Sequence, residues 1–281
     1  MKRISTLLIT CLMCITATTY GQDLGLPQPS PWAQVSQKFG MAQATITYSR
    51  PSMKGRKIFG GLVPNGELWR TGANKCVQFQ IEGDVTINGT KIPAGTYSLF
   101  TIPNESEWQI VINKDTEMWG TGGYTQDHDL MRFAVKTHTH TSTESFTIDF
   151  ANITPNSVEV QLYWENTMVS FTLMNDFVEA GRQNIEAAIK QAENTLGLYD
   201  DAADFYLNNN LDAKMALDWA KKSVAQGEKY WNVYTLARAY AANGMKAEAI
   251  STGERSLALA KEAKNTGFAQ TVESDLMEWK K

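Results

Sequence analysis

Residues 96–113 read TYSLFTIPNESEWQIVIN, in which two runs rich in β-branched and aromatic residues flank the turn dipeptide Pro103-Asn104. Apolar and polar side chains largely alternate along both runs, as in strands with one buried face. Similar runs recur at 44–49, 75–81, 84–89, 131–137, 144–150, 157–164 and 168–174. Turn dipeptides separate several of them, among them Asn88-Gly89, Pro155-Asn156 and Glu165-Asn166. About nine short strands without intervening helices predict an antiparallel β-sandwich or β-barrel over residues 22–175.

The composition changes near Asp176, after which the chain has no proline and is rich in Ala, Lys, Glu and Leu. Apolar residues such as Ile185 and Ile189 recur at helical spacing, which predicts an all-α domain over residues 176–281.

The helical part also repeats itself. Ala203 and Tyr206 recur 34 residues later as Ala237 and Tyr240. Ala216 and Ser223 recur 33 residues later as Ala249 and Ser256. This period, with small residues where paired helices approach, resembles the tetratricopeptide repeat. The alternative is a generic helical bundle. Two repeats are fewer than such stacks need alone, so we expect the helices to lean on the β domain.

The first 21 residues have the pattern of a signal peptide: Lys2 and Arg3 precede an apolar run at 7–15, and a polar stretch of small residues follows. This pattern predicts cleavage after Gly21 and export to the periplasm or out of the cell. The apolar run is too short for a permanent membrane span, and no second long apolar run follows it.

Removal of this segment takes away two basic residues and no acid. The 26 basic and 30 acidic residues become 24 and 30, so the formal charge changes from −4 to −6. This balance argues against nonspecific binding of nucleic acid. Cys76 is then the one remaining cysteine, so no internal disulfide can form, and its place in an apparent strand predicts a small buried hydrophobe.

Residues 50–75, here called the Arg-rich loop, read RPSMKGRKIFGGLVPNGELWRTGANK. Six basic residues stand against the single acid Glu67, with five glycines and two prolines among them. Clustered cations and exposed glycine amides suit a carboxylate, phosphate or sulfate, and loops on a rigid sandwich often carry binding sites. The alternative is that these cations pair with acids and brace the loop. The candidate ligand-binding residues are Arg50, Lys54, Arg56, Trp69, Arg70 and Asn74, with Trp69 as an apolar wall and Asn74 as an orienting amide.

The stretch YSRPSMKGRKIFGGLVPNGELWRTGAN, followed by IPAGTYSLFTIP, resembles the signature of an uncharacterised bacterial family, domain of unknown function 2911. The resemblance covers roughly residues 29–175. Members often carry a signal peptide and sometimes a tetratricopeptide-like tail. The resemblance implies the fold and the place of the site, but no reaction or ligand. The residues that carry it are Arg50, Pro51, Lys54, Gly55, Arg56, Trp69, Arg70, Gly72, Ala73 and Asn74.

A second set of polar residues is His138, His140 and Glu144, which share one face of a strand and could ligate a divalent metal. The matching half of a cupin-like metal motif is missing, because Ser98 stands where a histidine is expected. We therefore interpret this run as a solvated strand face and predict no metal and no cofactor. Asp127 and Asp129 flank His128 in a Gly-rich loop that could supply an acid–base group, although such loops are more often only solvated.

The leading functional interpretation is an exported binding module that holds a small anionic or carbohydrate-like ligand at the Arg-rich loop, while the helices contact a protein partner or stabilise the β domain. One alternative is a cell-envelope hydrolase or lyase acting on an anionic glycan fragment. Another is a structural interaction protein. An enzyme needs a carboxylate or histidine beside the arginines, whereas a structural protein would have no pocket there.

Overall fold

The computed structural model describes residues 26–191 and 195–281. The predicted signal peptide and its cleavage point after Gly21 lie outside this range. The described strands form two antiparallel sheets. The larger sheet has six strands in the order β1-β2-β3-β6-β7-β8. These strands are β1 (Trp32–Phe39), β2 (Ala42–Ser49), β3 (Val77–Glu82), β6 (Gly95–Ile102), β7 (Glu107–Asn113) and β8 (Asp129–Lys136).

The smaller sheet has four strands in the order β5-β4-β10-β9. They are β4 (Val85–Ile87), β5 (Thr90–Ile92), β9 (His138–Ala151) and β10 (Ser157–Met174). The two sheets do not close on each other, so the sandwich prediction is confirmed and the barrel alternative is wrong.

The predicted turn at Glu165-Asn166 is also wrong. The runs at 157–164 and 168–174 form one strand, β10, and the pairing with β9 shifts register on either side of Glu165. Glu165 has a φ of 52°, so the turn signal marks a bulge inside a long strand. β1 and β5 were not predicted.

The core lies between the sheets, where alternate residues of each strand point inward. Its largest fully buried side chains are Trp108, Trp164, Phe79 and Phe146, whereas Phe100 packs with Met118 in a separate small cluster. One polar contact joins the sheets: Tyr48 Oη donates to the carbonyl of Ile148 at 3.1 Å and accepts from its amide at 2.9 Å. The side chain of Tyr48 in β2 is thus hydrogen-bonded to the backbone of β9.

The strands end at Met174, and helices follow from Val178. They are α1 (Val178–Gln191), α2 (Leu196–Asn208), α3 (Ala213–Ala225), α4 (Tyr230–Ala242), α5 (Lys246–Glu262) and α6 (Thr266–Trp279). In the described residues, no helix is both long and apolar enough to cross a membrane.

The helical repeat is visible in the hydrogen bonds. Ser223 Oγ donates to the carbonyl of Leu196 at 2.8 Å, and Ser256 Oγ donates to the carbonyl of Tyr230 at 2.6 Å. Both serines are fully buried, as are the alanines predicted to mark helix approaches, Ala203, Ala216, Ala237 and Ala249. The same small donor therefore ties α3 to α2 and α5 to α4, which confirms a tetratricopeptide-like arrangement.

The connection between strands and helices is made at the β1–β2 turn. The side chain of Asn175 accepts from the amide of Met41 at 2.8 Å and donates to the carbonyl of Asp84 at 2.8 Å. Phe177 then meets Phe205 of α2 edge to face, with ring centroids 6.2 Å apart. Because β1 begins at Trp32 and turns at Gly40, the Arg-rich loop, which follows Ser49, lies at the opposite end of this hairpin.

Candidate functional site

The Arg-rich loop runs from the end of β2 to the start of β3 and covers one end of the sandwich core. Ile58 and Val63 are buried, and Phe59 and Trp69 pack against the core. The backbone of Trp69 pairs with Thr101 of β6, with reciprocal bonds of 2.8 and 3.0 Å. The loop is thus held in place at several points.

Trp69 belongs to an aromatic cluster between the loop and the sheets. Its indole is stacked on that of Trp164, with centroids 6.0 Å apart and an interplanar angle of 16°. It meets Phe146 and Trp108 edge to face at 5.1 and 6.3 Å. Trp69 Nε1 donates to the carbonyl of Gly72 at 3.2 Å. The ring is therefore fixed, and its remaining exposed part forms a rigid wall.

A cleft of about 410 Å³ opens beside this wall. It is lined by Ser30, Pro51, Arg56, Leu62, Val63, Pro64, Glu67, Leu68, Trp69, Arg70, Gly72, Ala73, Thr121 and Trp164. A volume of this size accommodates a small organic ligand, and apolar walls with a few fixed polar groups are typical of ligand sites.

Two of the predicted cations line the cleft. Arg56 is held at its rim, because Nε donates to Met53 O at 2.8 Å and Nη2 donates to Ser52 O at 2.7 Å. Arg70 is half-buried, and its Nε is fully buried without a hydrogen-bond partner among the described residues. In that same part of the chain, no ion pair includes either arginine. Both positive charges are therefore left to solvent or to a ligand.

The backbone that follows Arg70 is in an unusual conformation. Thr71 is β-branched and fully buried, yet has a φ of 62°. Gly72 has a φ of 143°, and a Cβ there would lie 2.8 Å from the carbonyl oxygen of Ser49. A non-glycine residue such as Thr71 held at positive φ costs about 1–3 kcal/mol, and such residues cluster at functional sites. Hydrogen bonds from Thr71 Oγ1 to Trp69 O at 3.3 Å and with Thr101 Oγ1 at 3.0 Å hold this segment.

The other three predicted residues do not line the cleft. Arg50 braces the loop against β9, since Nε donates to Phe146 O at 3.2 Å and Nη2 donates to Thr147 Oγ1 at 2.5 Å. Lys54 is exposed, and its amide donates to Glu144 Oε1 at 2.9 Å. Asn74 donates to Ser30 O at 3.3 Å and to Ser49 Oγ at 3.2 Å, beside a neighbouring groove. The structure thus brings together Arg56, Trp69 and Arg70 out of the six, and their binding role stays a prediction.

Several cleft residues were not predicted as site residues, among them Glu67, Trp164 and Thr121. Glu67 was noted only as the lone acid of the loop. Trp164 lies in β10, and Thr121 lies in the loop between β7 and β8. Trp164 could have been found from its strand parity, because it shares the inward face of β10 with Leu162 and Val160. Nothing in the local sequence signals Thr121.

The second candidate set does not form a metal site. His140 stacks on Tyr163 at 4.5 Å, and Glu144 is used by the amide of Lys54. Across residues 26–191 and 195–281, no three His, Cys, Asp or Glu side chains lie together as metal ligands. In the Gly-rich loop, Asp129 is bound by Tyr124, Arg132 and Asn113, and His128 pairs with Asp115 at 2.6 Å. Cys76 is buried, and burial raises the pKa of its thiol, so it remains protonated.

The fold and site together define a β-sandwich with an arginine-lined cleft, followed by a short stack of repeat-like helices. Residues 30–173 match the family described as "Protein of unknown function (DUF2911)", and the chain belongs to this family. No curated protein and no solved structure matches the chain significantly.

Proposed function

We propose that the chain is an exported binding module that holds a small anionic or sugar-like ligand in the cleft between Arg56, Arg70 and Trp69. The carrying observation is that Arg56 and Arg70 line the cleft beside Trp69, while no ion pair among the described residues includes either arginine. Two cations that line one cleft without an ion pair repel each other, so an anion bound between them lowers the electrostatic free energy of this arrangement. A carboxylate or phosphate oxygen supplies both a hydrogen-bond acceptor and the compensating charge.

The second support is the geometry around the two arginines. Arg56 is fixed by two backbone carbonyls and the aromatic wall is fixed by stacking, so little side-chain entropy is lost on binding. The helices meet the β domain at the end of the β1–β2 hairpin that lies opposite the Arg-rich loop. In this proposal the rest of their surface contacts a protein partner.

A thermal-shift titration tests the proposal with phosphate, sulfate, acetate and glucuronate. A bound anion stabilises the folded state by about 2.7 kcal/mol at a hundredfold excess over its dissociation constant. We expect at least one anion to raise the melting temperature, less so in high salt, and Arg70→Ala to lose the response. Lys57→Ala, which changes an exposed cation outside the cleft, should keep it. If no anion stabilises the protein and Arg70→Ala melts several degrees lower, Arg70 stabilises the fold and does not bind an anion.

Glu67 supports the alternative function, a hydrolase or lyase on an anionic glycan fragment. Glu67 lines the cleft together with both arginines. In this function the Glu67 carboxylate is the base, and the arginines neutralise the charge of the substrate. Incubation with acidic oligosaccharides, followed by separation of the products, distinguishes the two functions. Cleavage that is lost in Glu67→Gln would establish the enzyme, whereas intact oligosaccharides that still bind support the binding module.

A further inference from the structure

The cleft is lined by an acidic side chain as well as by two basic ones. Glu67 lines it together with Arg56 and Arg70. Glu67 and Arg56 are exposed, whereas Arg70 is half-buried. A ligand in this cleft therefore meets charges of both signs.

These opposite charges do not neutralise each other by direct contact. In the described part of the chain, Glu67 forms no ion pair with any basic residue. The guanidinium of Arg56 is instead held by the carbonyls of Met53 and Ser52. The fold thus keeps a carboxylate and two guanidinium groups apart in one cleft of about 410 Å³, where a single ligand can contact both kinds of group.

The same cleft has an apolar surface. Leu62, Val63 and Pro64 lie a few residues before Glu67 in the chain and line the cleft with it. Leu62 is 46% exposed, so it presents apolar surface to whatever the cleft holds. Trp69 adds the indole wall that is fixed by stacking on Trp164. A matching ligand has an apolar body and carries a positive and a negative group.

We propose that the ligand is a zwitterion with an apolar body, namely an amino acid or a dipeptide with apolar side chains. Its carboxylate contacts Arg56 and Arg70, and its ammonium group contacts Glu67. Its apolar side chain packs against Trp69 and Leu62. This inference rests on the proposed function and names the class of anion that the cleft holds.

Ligands that carry one kind of charge, or none, fit the cleft less well. An anion bound at the arginines is repelled by the carboxylate of Glu67, and a polyanion is repelled more strongly. A neutral sugar compensates neither the arginines nor Glu67. The ammonium group of a zwitterion turns the repulsion by Glu67 into an attraction and donates charge-assisted hydrogen bonds to its carboxylate.

Calorimetric titration with matched compounds tests the proposal. Leucine is compared with 4-methylpentanoate, which has the same skeleton without the amino group, and with leucinamide, which lacks the carboxylate. Phenylalanine and 3-phenylpropionate form a second pair. We expect at least one of the two amino acids to bind about tenfold more tightly than its analogue without the amino group. Leucyl-leucine and its N-acetyl form show whether a dipeptide is bound in preference to a free amino acid.

Glu67→Gln should weaken binding of the amino acid about tenfold and leave the analogue without the amino group bound equally or more tightly, because the repulsion is removed. Loss of structure in the cleft would weaken both compounds, so the opposite responses separate binding from folding. Glu82→Gln is the matched control. Glu82 is exposed and pairs with Gln43 near the β1–β2 turn, at the end of the sheet opposite the Arg-rich loop, so this variant should keep the wild-type preference.

The inference is overturned if the amino group adds no affinity, or if Glu67→Gln keeps the preference for the amino acid. It is also overturned if Glu67→Gln weakens both members of a pair equally, since Glu67 then serves to position the arginines. In each case, carboxylate or phosphate binding that is lost in Arg70→Ala leaves the proposed function standing. If neither these compounds nor the anions of the thermal-shift titration bind, the inference and the proposed function both fail.

Discussion

Gly120 lies directly against the guanidinium of Arg70: a Cβ at Gly120 would stand 2.9 Å from Nη1. The φ of Gly120 is 73°, a conformation that favours glycine. The loop between β7 and β8 therefore limits where the Arg70 guanidinium can lie. The position of the Arg70 charge in the cleft therefore depends on Gly120.

Gly120→Ala should displace the Arg70 guanidinium and weaken anion binding by about tenfold, with a loss of stability of about 1 kcal/mol from backbone strain. Gly122→Ala is the matched control, because its Cβ would meet only the carbonyl oxygen of Trp119 at 3.8 Å. Calorimetry and thermal melts of the two variants check this. Equal affinities would mean that Arg70 is positioned without the loop.

Arg50→Ala should lower the free energy of unfolding by about 1.5–3 kcal/mol, because it removes charged hydrogen bonds to Phe146 O and Thr147 Oγ1. Lys57→Ala should change it by less than about 0.5 kcal/mol. Urea unfolding monitored by tryptophan fluorescence measures both. Since Arg50 does not line the cleft, anion affinity should stay near the wild-type value at low denaturant. A large loss of affinity without a loss of stability would place Arg50 in the site instead.

Asp200 in α2 should make the helices less stable as the pH rises. It is 8% exposed, and its Oδ1 has no hydrogen-bond partner in the described parts of the chain. Burial, reinforced by Asp201 and Asp204 and opposed by Thr235 and Arg238, raises the pKa of this carboxyl from 3.8 to about 6.

Because the folded pKa lies above the unfolded value, the folded state holds the proton more tightly. The resulting stability is complete below pH 4 and is lost as the pH rises through about 6, by roughly 3 kcal/mol in total. Asp200→Asn should therefore raise the melting temperature at pH 7.5 more than at pH 4.5, measured by circular dichroism at 222 nm. The exposed Asp201→Asn is the control. An equal effect of Asp200→Asn at both pH values would contradict the assignment.

Ser256→Ala should destabilise the helices by about 1 kcal/mol, because the hydrogen bond from the buried Ser256 side chain to the carbonyl of Tyr230 is lost. Ser251→Ala, on the exposed face of the same helix α5, should have almost no effect. Thermal melts of the two variants at 222 nm decide this. If both variants melt at the same temperature, the hydrogen bond between Ser256 and Tyr230 does not stabilise the packing of α5 on α4.

The sequence predicted the strands well where one face is strongly apolar, as in β6 and β7. It missed β1, an edge strand in which all but the last residue remain partly or fully exposed, so its alternation carries little apolar signal. It also could not separate a turn from a bulge at Glu165-Asn166, since both need a residue at positive φ. Whether the sheets close into a barrel depends on which edge strands pair, and no local pattern reports that.

The site was predicted in part for a similar reason. Arginine in a Gly-rich loop indicates an anion site or a brace equally well, and the choice depends on distant partners. The partner of Arg50 is Thr147, 97 residues away. Arg70 has no such partner in the described chain, and only the structure reveals that its Nε is buried.

The two hydrogen bonds between Tyr48 and Ile148 join residues 100 positions apart. This closure of the sandwich must wait until nearly the whole β domain is available, whereas each helix pair can form from neighbouring segments as soon as it exists. Contacts of such long range slow folding, while local helical contacts speed it. The helical part, although last in sequence, should therefore finish folding before the β domain that precedes it.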